Sequence, residues 1–156
     1  MGEYRTALYC LNGHLVTGSL EYATEKGDRF CQECGAQLIY KCPECSFKIR
    51  GDQERGWEGG LYPAMRSNNC PKCGAPYPWA VAQMEAVREL IQMSELEENE
   101  KKDFMENLSE VAQKTPRASV ASLKINRQMS KVGSVVLDKL MDLVAKFGVE
   151  FMKNNQ

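Results

Sequence analysis

Two features of the sequence predict an α+β chain with its β-structure first. All seven cysteines and the single histidine fall between Cys10 and Cys73, among short runs of β-prone residues punctuated by glycine and proline. From Ala80 onward there is no Cys or His, and the apolar period changes. Ala80, Met84, Val87 and Ile91 share one helical face, with Glu85, Arg88, Glu89 and Gln92 opposite. The expected division is residues 1–79 and residues 80–156, the second part all-α with about four helices. A chain of 156 residues is one domain or two small ones.

The cysteines and the histidine form four pairs: Cys10 and His14 as CxxxH, then Cys31 and Cys34, Cys42 and Cys45, and Cys70 and Cys73, each as CxxC. Tetrahedral zinc takes four Cys or His ligands, so eight ligands complete two closed sites with nothing left over, whereas a disulfide framework would strand one cysteine. The first part therefore reads as tandem zinc ribbons, short β-hairpins and zinc knuckles around two Zn2+ ions. A ribbon of about 70 residues buries too little apolar surface to stand alone, and metal binding supplies on the order of 10 kcal/mol or more per structural site.

Residues 3–9 carry Tyr, Thr, Leu and Tyr, predict a strand, and deliver Cys10 into a turn whose Asn12 and Gly13 tolerate positive φ. Residues 15–20 predict the returning strand and residues 25–28 a loop. In CQECG and CPKCG the Gly after the second Cys lets backbone amides turn toward sulfur. Residues 37–41 predict a strand joining the second pair directly to the third. That short connection favours sequential sites, the first pair with the second and the third with the fourth; a RING-like cross-brace is the rival. Residues 47–50 predict a strand leaving the third pair, and residues 51–60, GDQERGWEGG, a polar glycine-rich loop. Trp57 on that loop, with Arg50 and Arg55, is a candidate partner-binding group; its other reading is a lid folded back over the small ribbon. Pro76, Tyr77, Pro78 and Trp79 follow the last knuckle and predict a stiff junction with core packing.

In the second part, Ser94 with Glu97 fits a capping box for a helix burying Leu96, Phe104 and Leu108. Thr115 with Pro116 fits the start of a third helix, where Arg117, Lys124, Arg127 and Lys131 fall within about an 80° arc. A last helix runs from residue 134 to about residue 152. Its apolar residues, Val132 to Met152, cover far more than a third of its circumference, and Asp138, Asp142, Lys146, Glu150 and Lys153 leave only a narrow polar stripe. Such a face packs within the chain or docks on a second copy or a partner protein; the mixed charges of the stripe disfavour a membrane interface.

The formal charge of −1 becomes about −4 once seven thiolates and two zinc ions are counted, the wrong sign for a general nucleic-acid binder. Glu85 to Glu110 holds nine acidic and three basic residues, and Val111 to Lys131 five basic and no acidic ones. No HExxH, P-loop or dinucleotide fingerprint occurs, and zinc claims the only histidine and every cysteine, so no enzyme is expected. Residues 1–10 carry Glu3 and Arg5 in place of an apolar signal region, and no apolar run reaches spanning length. Metal-bound thiolates then imply a reducing, cytoplasmic setting. The expected function is an interaction module for a protein partner or self-association; nucleic-acid binding through Lys41, Lys48, Arg50, Arg55, Arg66 and Lys72 is the alternative.

Taken together, the CLNGH turn, CQECGAQLIYKCPEC, the Arg50-Gly51 step, CPKCGAPYPW and the later TPR before an amphipathic tail resemble a family of uncharacterised bacterial proteins, a domain of unknown function defined by this double zinc-ribbon module. The resemblance runs the whole length and includes all eight ligand positions. It implies a bacterial, cytoplasmic zinc-ribbon protein and adds no mechanism.

Overall fold

The computed structural model describes residues 2–147 and Val149, without the side chain of Glu58. The fold is α+β, in two compact units divided between Ala82 and Gln83. Each is described by itself.

The first unit contains β1 (Tyr4–Thr6), β2 (Leu8–Cys10), β3 (Leu15–Thr17), β4 (Leu38–Ile39), β5 (Arg50–Glu54) and β6 (Leu61–Tyr62). These form two antiparallel three-stranded sheets, in the orders β1-β5-β6 and β3-β2-β4. The single strand expected over residues 3–9 is thus split at Ala7, whose buried N–H donates to the Ile49 carbonyl at 2.9 Å, and each half serves a different sheet. Gly51 makes the crossing possible: a Cβ there would lie 2.0 Å from the Gly18 carbonyl oxygen and 2.8 Å from the Ala7 nitrogen.

The returning strand stops at Thr17, because Gly18 and Ser19 turn toward β5. The Asp52 N–H donates to the Gly18 carbonyl at 2.7 Å, and the Ser19 hydroxyl to the Asp52 carboxylate at 2.5 Å. A 3-10 turn at Leu20–Tyr22 then brings Glu21 back to buried Thr6, whose N–H and hydroxyl both donate to its carboxylate at 3.1 and 2.5 Å. Burial alone would raise the Glu21 carboxyl, but these bonds hold it below the usual range.

The strand expected over residues 47–50 lies later, at β5, and most of the expected loop over residues 51–60 belongs to the β5–β6 hairpin with a 3-10 turn at Gly56–Glu58. Polar, glycine-containing GDQE scores poorly as a strand. It forms one because Gly51 permits the close approach and Asp52 is tied to the Ser19 hydroxyl and, at 2.8 Å, to the Ala64 N–H. The core of this unit is small: Ala7, Tyr9, Ile49, Tyr77 and Trp79, with Cys42 and Cys70 at its edge. Tyr77 and Trp79 pack there as their sequence context predicts.

The boundary falls inside α1 (Pro78–Gln92), followed by α2 (Glu98–Ala112), α3 (Ala118–Met129) and α4 (Ser134–Ala145). The second unit has one core, built from Val87 and Ile91, Phe104 and Leu108, Ile125 and Met129, and Val136, Leu140 and Val144, one helical face from each element. The capping box that opens α2 is Glu97 with Glu100, not Ser94 with Glu97. Ser94 instead closes α1, its hydroxyl donating to the Ile91 carbonyl at 2.6 Å. α3 starts after Arg117, two residues later than the Thr115 cap predicts; the Thr115 hydroxyl donates to the Glu110 carboxylate and accepts the Arg117 N–H in the turn between the helices. Within the basic stripe, Lys131 meets Glu100 at 2.7 Å and holds that carboxyl below its usual range.

α4 ends at Ala145, short of the expected residue 152; Glu150, Phe151, Met152 and Lys153 lie outside the described residues. Its apolar face is used inside the unit, where Val132, Phe147 and Val149 extend the same core, while Val135 is 89% exposed.

Among the described residues, only Ser46 and Lys114 take a left-handed backbone without being glycine, at φ 60° and 51°. Lys114 terminates α2 in a Schellman arrangement, its N–H on the Val111 carbonyl at 3.0 Å and the Thr115 N–H on the Glu110 carbonyl at 3.2 Å. Ser46→Gly and Lys114→Gly are each expected to raise stability by about 0.5–1 kcal/mol, the relieved backbone strain exceeding the added unfolded-chain entropy. Denaturant midpoints of the two variants check this, and unchanged or lower midpoints would refute it.

Candidate metal centres

The eight ligands fall into two sets, Cys10, His14, Cys31 and Cys34, and Cys42, Cys45, Cys70 and Cys73, with the ligand atoms of each set within 4.8 Å of one another. The grouping is the sequential one.

Each CxxC is built by the same local bonds. The N–H of the first Cys donates to the carbonyl five residues on, and the residue after the second Cys donates back to the first Cys carbonyl, at 2.8–2.9 Å in all three copies. This closed turn requires positive φ at the residue after the second Cys, taken by Gly35 at 72°, Gly74 at 76° and Ser46 at 60°. The CQECG and CPKCG glycines announce that geometry; Ser46 in CPECS conceals it. In the CxxxH turn, Gly13 takes φ 85° and donates to the Cys10 carbonyl at 2.9 Å, while Cys10 donates to the His14 carbonyl at 3.0 Å.

An ion at about 2.3 Å from sulfur and 2.0 Å from nitrogen in tetrahedral geometry sets two sulfurs about 3.8 Å apart, and a sulfur about 3.5 Å from an imidazole nitrogen. The observed separations match: Cys10 to Cys34 is 3.7 Å, Cys42 to Cys73 is 3.8 Å and Cys45 to Cys70 is 3.6 Å. His14 turns Nδ1 inward, 3.5 Å from the Cys10 sulfur and 3.8 Å from that of Cys31. Both sets fit a metal ion.

Each set also has donors aimed at its sulfurs. The His14 N–H donates to Cys10 Sγ at 3.3 Å and the Asn12 side chain to Cys34 Sγ at 3.4 Å. The Ala36 amide, outweighing partial burial and helped by Asn12, draws the Cys34 thiol down to about 6. Burial opposes ionisation at Cys70, but the Cys73 and Lys72 amides bring it to about 6. Cys45 goes the other way: despite the Phe47 amide, burial and the thiols of Cys73, Cys70 and Cys42 push it up to about 12. Burial likewise raises Cys10, and hydrogen bonds with the Cys34 and Cys31 sulfurs raise His14. One sulfur per set ionises readily and its negative charge resists the next, a conflict that a divalent cation removes. Asn12 and Ser46 are the contributors that ligand spacing alone does not reveal.

Trp57, Arg50 and Arg55 are not members of either set; they lie on or at the end of the β5–β6 hairpin. Trp57 is not a lid: it sits on the 3-10 turn, 101% exposed, and the aromatic positions over the small core belong to Tyr77 and Trp79. Arg55 lies over the Tyr62 ring at 4.3 Å and Arg50 over the Tyr4 ring at 4.7 Å.

Two four-ligand sets on tandem β-ribbons, each able to hold a metal ion, followed by a helical unit, define a double Cys/His-ribbon protein. The chain belongs to the family described as "Uncharacterized protein conserved in bacteria (DUF2321)", whose model matches residues 3–155. No curated protein and no solved structure matches the chain. Among the described residues, no helix is long and apolar enough to cross a membrane.

Proposed function

We propose that the chain is a non-catalytic interaction module whose first unit is folded around two zinc ions. The observation that carries this reading is the ligand geometry: eight Cys and His ligands in two sets of four, at separations that suit tetrahedral coordination. Sets of four sulfurs, or three sulfurs and an imidazole, suit zinc, and a closed set leaves no open position for substrate or activated water. With every cysteine and the histidine in these sets, no residue is left as a thiol nucleophile or imidazole base, and the same thiolate chemistry supports a reducing, cytoplasmic setting. α4 uses most of its apolar face internally, so recognition is assigned to the first unit, where Trp57 and several tyrosines face solvent.

Protein purified without added metal is expected to carry two zinc ions per chain; elemental analysis finding one or none overturns the reading. Loading must displace protons, because the Cys10 thiol is raised and Cys45 is pushed up to about 12. Acid therefore competes with the metal, and affinity falls as pH falls. Titration with a chromogenic chelator is expected to show release on acidification from about pH 7 to about pH 5, and pH-independent retention would contradict thiolate ligation.

A further inference from the structure

The first unit carries an alternation of rings and cations that the metal sites do not use. Arg50 lies over Tyr4 at 4.7 Å, Arg55 over Tyr62 at 4.3 Å, and Lys72 over Phe47 at 5.7 Å. Arg5 over Tyr22 at 4.5 Å and Lys41 over Tyr40 at 5.2 Å repeat the pattern. The first three pairs border two adjoining surface grooves. One, of about 400 Å³, is lined by Tyr4, Arg50, Gln53, Tyr62, Met65 and Asn69 among others, with no carboxylate in its lining. The other, of about 660 Å³, shares Tyr4 and Arg50 and adds Phe47, Lys48 and Lys72.

The second groove does contain acids, but two are already committed. Glu21 accepts the bonds of Thr6, and Glu54 meets Arg5 at 3.4 Å, leaving Glu3. Arg50, Arg55 and Lys72 are exposed and make no ion pair among the described residues. A cation held over one face of a ring keeps N–H groups for a phosphate, while the exposed ring surface and the guanidinium plane are what a base stacks on. Recurrence along a groove matters more than any single pair. Each nucleotide presents one flat π-face and one negative charge, so a strand of them matches ring and cation step by step. An acidic peptide supplies the charge without the flat faces, and an apolar peptide leaves the cations unmatched.

We propose that this face, centred on Tyr4, Arg50, Arg55, Tyr62 and Lys72, binds a single-stranded polynucleotide, RNA or DNA. The proposal rests on the reading of the chain as a non-catalytic module and names its partner. The net charge is unfavourable for binding duplexes, whose dense phosphates select strongly basic surfaces; three cations interleaved with rings suit the lower charge density and unstacked bases of a single strand.

The test uses zinc-loaded full-length protein and fluorescein-labelled oligo-dT and oligo-U of about 20 nucleotides, with a duplex of the same length, in anisotropy titrations at several salt concentrations. Expected is saturable binding of the single strands, stronger than of the duplex, with a slope of log K against log salt of about −2, since each single-strand phosphate contact contributes about −0.7. Arg50→Ala combined with Arg55→Ala should weaken binding at least tenfold and flatten the slope by about 1.4. Tyr62→Ala should weaken it about 5- to 100-fold at unchanged slope. Arg117→Ala with Lys124→Ala, just before and on α3 of the other unit, should bind as wild type. Comparing the two oligonucleotides separates RNA from DNA. No binding by protein that carries both ions overturns this proposal and leaves the module reading standing; preparations lacking the two ions fail that reading first. Equal affinity for the duplex, equal binding by the groove variants, or a protein captured through this face while both oligonucleotides fail, would each also overturn it.

Discussion

Complete removal of metal by a chelator is expected to unfold the first unit while the second keeps its helices. The strands of the first unit are two to five residues long and its core holds few large side chains. Such a unit lacks the buried area to offset the entropy of ordering about 80 residues. Structural zinc contributes on the order of 10 kcal/mol per site, against a typical total stability of 5–15 kcal/mol. By contrast, the second unit contains no Cys or His and has a continuous apolar core from Val87 to Val149. The observable is a split response: helical circular dichroism retained, and dispersed NMR signals of residues 2–82 lost. Dispersion persisting after full metal removal would refute the structural role. Within the unit, Cys42→Ser is expected to release one ion and leave the Cys10, His14, Cys31 and Cys34 set loaded. Loss of metal from Cys10 and His14 instead would contradict the sequential grouping.

The two Cys/His ligand sets were legible because their signal is local and exhaustive. Three CxxC pairs and one CxxxH account for every soft ligand, and the seven-residue link between Cys34 and Cys42 favours the grouping found. The helical cores were legible because a 3.6-residue period survives in sequence: Val87, Ile91, Phe104 and Leu108 are all buried where that period puts them. What sequence hid is non-local. Residues 51–54 look like a loop because glycine and charged residues disfavour strands, and only the approach of Ala7 and Gly18 to Gly51 explains why β5 forms. The helix starts were misplaced for a related reason. Ser94 and Thr115 each accept the N–H of the residue two positions on, but their hydroxyls donate back to the Ile91 carbonyl and the Glu110 carboxylate, so each sits between two helices and the next helix begins a few residues later. Trp57 shows the limit most plainly, since a tryptophan among glycines has no period to say whether it is covered.

Trp79→Ala is expected to cost about 3–5 kcal/mol, the second large effect. The indole is 1% exposed and lies against Tyr9 and Tyr77, with ring centroids 5.0 and 4.7 Å away. Its Nε1 donates to the Ser67 carbonyl at 2.9 Å. It also reaches the turn of the first metal set: a Cβ on Gly13 would sit 2.9 Å from that of Trp79. Through Tyr77, beside Cys70, it touches the frame of the second set. One side chain therefore ties the CxxxH turn, residues 67–70 and the start of α1 into a single core. Removing it leaves a cavity that short strands cannot close and an unpartnered carbonyl at Ser67. Trp79→Phe keeps much of the volume and loses the hydrogen bond, so a smaller loss of about 1–2 kcal/mol is expected. Guanidinium melts of zinc-loaded protein, followed through the NMR signals of the first unit, give both values. The metal content of folded protein should stay at two ions, while chelator-driven release from the Cys10 set becomes faster as that turn opens more often. If Trp79→Ala melted with wild-type protein while both ions remained bound, the metal alone would hold the unit, and the indole would have no part in joining its two sites.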